Sequence, residues 1–147
     1  MTSRPSAILF ACTSNAVRSP MAEALMKSLI EFAAYVDSIG VLAAERNEFA
    51  VAAMKEIGIN LSTHKPKTFD DLEDGSADLI ITLSPEAHER ALEVTRHSAT
   101  EVEFWDIPDP MLVGGNRDSR MEAFRDVRRL LTERIKARFP DLISKRA

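Results

Sequence analysis

Ala7-Ile8-Leu9-Phe10-Ala11-Cys12-Thr13-Ser14-Asn15-Ala16-Val17-Arg18-Ser19-Pro20 joins an apolar run to the start of an amphipathic one. The first five residues read as a buried strand. From Pro20 to about Phe32 the pattern is helical, with Ser19 placed as its cap and Pro20 as its first residue. A thiol and a guanidinium, separated by five residues, thus share a tight loop between a strand and a helix N-terminus. Free backbone N–H groups and the positive end of the helix dipole favour an anion there. The same field favours thiolate over thiol. A cation at this end of a helix opposes the dipole unless an anion sits beside it. An arginine fork is suited to clasp two oxygens of that anion. The loop therefore reads as an oxyanion cradle with a sulfur nucleophile, Cys12, at its floor. Arg18 is its clamp, and residues Thr13, Ser14, Asn15, Ala16 and Val17 form its wall. Ser19 is expected to hydrogen-bond the thiolate, and Asn15 suits a left-handed backbone.

Working outward, apolar stretches alternate with amphipathic ones. Tyr35–Ile39 reads as a strand ending at Gly40, and Leu79–Leu83 as a second, rich in branched residues. Val102–Trp105 is a further strand. Helices are expected at Phe49–Ile57, stopped by Gly58, from Ser84-Pro85 to about Arg96, and from about Gly115 to Phe139. The last carries the apolar stripe Met121, Phe124, Val127, Leu130, Leu131 and Ile135. Its arginines, interleaved with acids, read as a solvated face with i,i+4 pairs. This alternation predicts a single α/β domain over residues 1–147. Its core is a four-stranded parallel sheet with helices on both faces, and the phosphate loop follows the first strand. Ligands in such sheets sit at the carboxyl ends of strands, where Cys12 falls.

Composition bounds the chemistry. A net charge of −4 argues against a general nucleic-acid or membrane-surface binder. No apolar run approaches the ~20 residues of a membrane span, and the expected location is the cytoplasm. One cysteine excludes an intramolecular disulfide. The three histidines, His64, His88 and His97, lack zinc-site spacing, so no metal site is expected. If a thiolate attacks a phosphomonoester, the departing oxygen needs a proton. Asp109, between Pro108 and Pro110, and Asp106 are the candidates for the acid.

Cys12 to Glu23 resembles the phosphate loop of the low-molecular-weight protein tyrosine phosphatases, whose fold the thioredoxin-coupled arsenate reductases share. Asp37-Ser38-Ile39-Gly40 resembles that family's Asp-Ser-Ala-Gly segment. Gly58-Ile59-Asn60-Leu61-Ser62-Thr63-His64 resembles its Gly-Ile-Asp-x-Ser-x-His segment. The resemblance implies that Ser38 and His64 support Asn15. It also implies that Asp109, in Asp109-Pro110, is the general acid and base. The implied activity is phosphomonoester hydrolysis through a phosphocysteine, without a cofactor, on a phosphorylated protein or a small phosphomonoester.

Several positions depart from the family pattern. Ser14 replaces a common glycine, and Val17 a common second cysteine. Ser84 stands where the reductases carry a relay cysteine, and Met111-Leu112-Val113 where many phosphatases place a tyrosine. Arsenate reduction through an external thiol, such as glutathione or mycothiol, is the alternative activity. A non-catalytic phosphate-binding module is the reading from outside enzymology.

Overall fold

The computed structural model describes residues 5–72 and 77–145. Four strands form one sheet: β1 (Ala7–Cys12), β2 (Tyr35–Gly40), β3 (Leu79–Thr82) and β4 (Glu101–Phe104). They run parallel in the order β2-β1-β3-β4. Among the described residues the helices are α1 (Arg18–Ile30), α2 (Glu48–Lys55), α3 (Pro85–Val94) and α4 (Arg117–Arg138). Short 3-10 turns lie at Phe69–Asp71 and Pro110–Leu112. The expected fold class is the observed one. None of these helices is long and apolar enough to cross a membrane.

The central strands β1 and β3 are buried on both faces, as their unbroken apolar runs require. Alternate residues of β1 serve two cores. Ile8, Phe10 and Cys12 join the core under α1, α2 and α4, where Met21, Met26, Met54, Phe124 and Leu131 are fully covered. Leu9 and Ala11 join Ile80, Ala87 and Ala91 beneath α3. The outer strand β4 alternates Glu101 and Glu103 with Val102 and Phe104, the charge-bearing pattern of a protected sheet edge.

The chain leaves β1 toward β2, then crosses back to β3 on the other side of β1. The loops after β1 and β3 therefore lead to helices on opposite faces and leave a crevice between them at the carboxyl edge. That crevice holds the Cys12 loop.

Element boundaries shift slightly from the sequence reading. α2 covers Glu48–Lys55, and Gly58 follows with φ +79°, the left-handed geometry that ends the helix. A larger difference concerns the arginines of α4, whose close ion pairs have other spacings than i,i+4; Arg129 feels Glu133, four residues on, only at longer range. Arg125 and Arg128 both bond Glu56 beyond α2, Arg138 bonds Glu103 of β4, and Arg120 lies over the Phe49 ring. Pairs along the helix are Arg125 with Glu122 and Arg129 with Asp126, both i,i+3, and Arg129 with Glu122 across two turns. These cations fasten α4 to its neighbours, because α2 and β4 bring acids within reach of its rim.

Candidate active site

The conformation of the Cys12 loop follows from where its carbonyls go. Those of Cys12, Thr13 and Ser14 accept the N–H groups of Val41, Leu42 and Ala44 at 3.1, 2.8 and 3.0 Å. The Asn15 carbonyl faces His64 Nε2 at 3.3 Å. Among the described residues every peptide bond is trans. In a planar trans peptide the N–H points opposite to the preceding carbonyl. The amides of Thr13, Ser14, Asn15 and Ala16 are therefore turned to the inner side of the loop. Successive inward amides make an anion-binding nest.

The helix that follows extends the nest. Asn47, Ser84 and Asn116 cap α2, α3 and α4 with their side chains, but α1 has no side-chain cap. Ser19, expected as that cap, lies instead inside α1, which begins at Arg18. Its hydroxyl turns under the loop, 2.9 Å from Cys12 Sγ, and its backbone N–H reaches the sulfur at 3.4 Å. A capping oxygen would fill the space that the first-turn amides offer to an anion. Pro20 sits in the first turn, where its missing N–H costs no helical bond.

Asn15 is the keystone beneath the loop. It has φ +51°, the left-handed geometry expected of it, and is fully buried. The Lys67 N–H donates to Asn15 Oδ1 at 2.8 Å, which fixes the orientation of the amide. Asn15 Nδ2 then donates to Ser19 Oγ at 2.9 Å and to Ser38 Oγ at 3.0 Å. With its oxygen so occupied, Ser38 sends its own proton to Glu23 Oε1 at 2.5 Å. Ser19 has one proton, to give to the Ile39 carbonyl at 3.2 Å or to a Cys12 thiolate. His64 Nε2 lies 3.0 Å from Asn15 Oδ1; facing acceptors on both sides, it carries the proton. Burial pushes the His64 pKa down, opposed chiefly by the Glu23 carboxylate.

Arg18 is buried, and its Nη1 donates to the Ile107 carbonyl at 2.9 Å and the Leu83 carbonyl at 3.3 Å. Both carbonyls lie just beyond the carboxyl ends of β4 and β3. Two fixed bonds on one nitrogen aim the guanidinium and leave its Nη2 facing Asp109. Asp109 Oδ2 stands 3.9 Å from Nη2. Its other oxygen accepts the Met111 N–H at 3.0 Å, so Asp109 caps the turn Pro110–Leu112 and is held by it. Asp106 is exposed and does not enter this arrangement.

The structure thus gathers Cys12, Arg18, Ser19 and Asp109 at one strand edge, with Asn15, Ser38 and His64 beneath. Ser14 is half-buried, and Ala16 and Val17 pack into the core. Sequence reasoning missed four contributors. Gly40 is needed for space: a Cβ there would meet Asn15 N at 2.6 Å and Asn15 Cβ at 2.9 Å. Lys67 supplies a backbone N–H, which no side-chain pattern announces. Glu23 orders Ser38; its place on α1, one turn after Ser19, was the available signal. Glu86 accepts the Thr13 hydroxyl at 3.2 Å, while Thr13 also reaches Ser84 Oγ at 3.0 Å. The stretch beside Asp109 is apolar and open, with Met111 and Leu112 more than half exposed, as is Leu42 on the segment bonded along the loop.

A family model described as low molecular weight phosphotyrosine protein phosphatase matches residues 7–146. An arsenate reductase of Halalkalibacterium halodurans is 36% identical over 129 residues, 88% of this chain and 91% of that protein. An arsenate reductase of Bacillus subtilis is 33% identical over the same coverage. Among solved structures, the YwlE arginine phosphatase of Bacillus subtilis is similar at 27% identity with a TM-score of 0.75. That match covers 92% of this chain and 95% of the other.

Proposed function

The chain belongs to the low-molecular-weight phosphotyrosine protein phosphatase family, and from that premise we propose that it hydrolyses phosphomonoesters through a phosphocysteine on Cys12. The observation that carries this reading is the convergence on one crevice of a lone thiol, inward amides, an aimed guanidinium and a carboxyl. The phosphoryl group sits in the nest with its equatorial oxygens on the amides of Thr13 to Val17 and on Arg18. The Cys12 thiolate attacks phosphorus in line. An S–P bond forms as the bond to the leaving oxygen breaks, and Asp109 gives that oxygen its proton. Water, deprotonated by Asp109, then attacks phosphorus. The S–P bond breaks, phosphate departs and the thiolate returns, stabilised by the Ser19 hydroxyl. The steps use only this chain's residues and water. Substrates on this reading are phosphorylated proteins, phosphotyrosine above all, or small phosphomonoesters, in a cytoplasmic setting.

A second reading is favoured by the names of the relatives, arsenate reductases at 33% and 36% identity. Arsenate matches phosphate in shape and charge and fits the same nest. Reducing it to arsenite takes two electrons. A chain with one cysteine cannot supply both by closing an internal disulfide. An external thiol would have to attack the Cys12 adduct, and a further thiol would then free Cys12.

The two readings part in one assay: hydrolysis of para-nitrophenyl phosphate beside arsenite formation with glutathione or mycothiol. Phosphate release without arsenite is the expected result. Arsenite formation with weak hydrolysis would overturn the phosphatase reading in favour of the second, and neither activity with phosphate still bound would mean a binding module.

A further inference from the structure

Beyond the residues given roles above, a second carboxylate stands at the lip of the nest. Glu86 lies in the first turn of α3, exposed to solvent, and its Oε2 accepts the hydroxyl of Thr13, the residue after the nucleophile. The Glu86 carboxyl is held below the usual range by its own backbone N–H, then by Thr13. The Arg18 guanidinium adds an electrostatic attraction. Asp109 approaches the same guanidinium from the β4 side. Glu86 therefore places a carboxylate beside the clamp of a site built for a dianion, while Asp109 holds the proton it gives to the leaving oxygen. Toward a bare phosphomonoester the Glu86 charge is a like charge and opposes binding. Toward a phosphoryl group whose carrier holds a cation close by, the same charge is complementary.

Resting on the phosphatase reading, we infer that Glu86 is a specificity-determining residue that selects phosphorylated substrates carrying a guanidinium or ammonium beside the phosphoryl group. Thr13, whose one proton also lies within reach of Ser84 Oγ, ties the carboxylate to the phosphate loop itself, so the cation site lies beside the phosphate site. The shared chemistry, a phosphoryl group next to a permanent cation, has two sources. One is phosphotyrosine with a neighbouring arginine or lysine in the peptide. The other is a phosphoryl group on the guanidinium of an arginine.

The test compares kcat/KM for four substrates: a phosphotyrosine peptide flanked by arginines, the same peptide flanked by glutamines, a phosphoarginine peptide and para-nitrophenyl phosphate. Each is measured with wild type and Glu86→Gln, at low and high salt. Wild type is expected to prefer the arginine-flanked peptide about three- to fivefold over its glutamine twin at low salt, the range of an exposed charge pair. That preference is expected to shrink at high salt and to fall to about one in Glu86→Gln. A fall confined to the phosphoarginine over para-nitrophenyl phosphate ratio would support the inference with arginine as the phosphoryl carrier. Ratios that Glu86→Gln leaves unmoved, including an equal loss on all four substrates from damage to α3, would overturn it while the phosphatase reading stands. The salt series on wild type probes the same charge pairing without a variant, and a preference that high salt leaves intact would also overturn it. Absence of hydrolysis for every substrate would overturn both readings together.

Discussion

At the scale of single residues, function rests on what each side chain has left to offer once its neighbours are satisfied. Arg18 commits Nη1 to the Leu83 and Ile107 carbonyls, which removes its freedom and leaves a directed edge for phosphate. Ser19 commits its lone pair to Asn15, so its proton goes to Ile39 or to the sulfur. Asp109 commits one oxygen to Met111 and presents the other toward Arg18. An acid in that place matters most when the leaving group is poor. Asp109→Asn should lower kcat by about 10²–10⁴-fold for alkyl and unactivated aryl phosphates. The loss should be much smaller for nitrophenyl phosphates, whose oxygen leaves without help. A uniform loss across leaving groups would instead make Asp109 a support for its turn.

At the scale of elements, the loop after β1 is shaped by segments distant in the chain. Residues 41–44 take its carbonyls, Lys67 and His64 hold Asn15, and Gly40 lets the β2 end approach it. Gly40→Ala tests this directly. The added methyl meets backbone at 2.6 Å on two sides, Asn15 N and Leu42 O, and neither is a flexible tip. The variant should lose about 1–3 kcal/mol of stability, read by urea unfolding. It should also bind phosphate more weakly than an equally destabilised surface variant of α4. Full phosphate affinity in Gly40→Ala would separate the β2 end from the shape of the nest. The same contrast between near and distant segments marks what is legible in the sequence. Strand–loop–helix patterning places Cys12, Arg18 and the sheet, since local apolar periodicity and loop chemistry are written in adjacent letters. Ser19 reads as a cap because a serine before proline is the usual cap signal. Only the closed loop shows that this helix end has no side-chain cap. Glu86 and Lys67 are silent in the sequence because their contributions depend on β3 and β2 lying on either side of β1.

At the scale of the whole molecule, the site is a seam between two cores, and its support couples to solvent conditions. His64 titrates below the ordinary 6.5 because burial disfavours its charged form. The unfolded chain then binds the proton more readily than the folded one. Stability from this group is in full force above about pH 6.5 and is lost as pH falls below it toward the depressed folded value. Wild type should therefore lose stability from about pH 7 to about pH 5 more steeply than His64→Gln, by urea unfolding across that range. Parallel profiles would deny His64 this role. The proposed catalysis depends on covalent chemistry at the one sulfur of a cysteine in the chain. Its most direct test is acid quench of the enzyme during turnover of para-nitrophenyl phosphate, with peptide mapping by mass spectrometry and a Cys12→Ser control. The expected result is a phosphoryl group on the peptide containing Cys12, and a serine variant that still binds phosphate but turns over at background rate. Steady turnover with no phosphoryl group on Cys12, or undiminished turnover in Cys12→Ser, would contradict it.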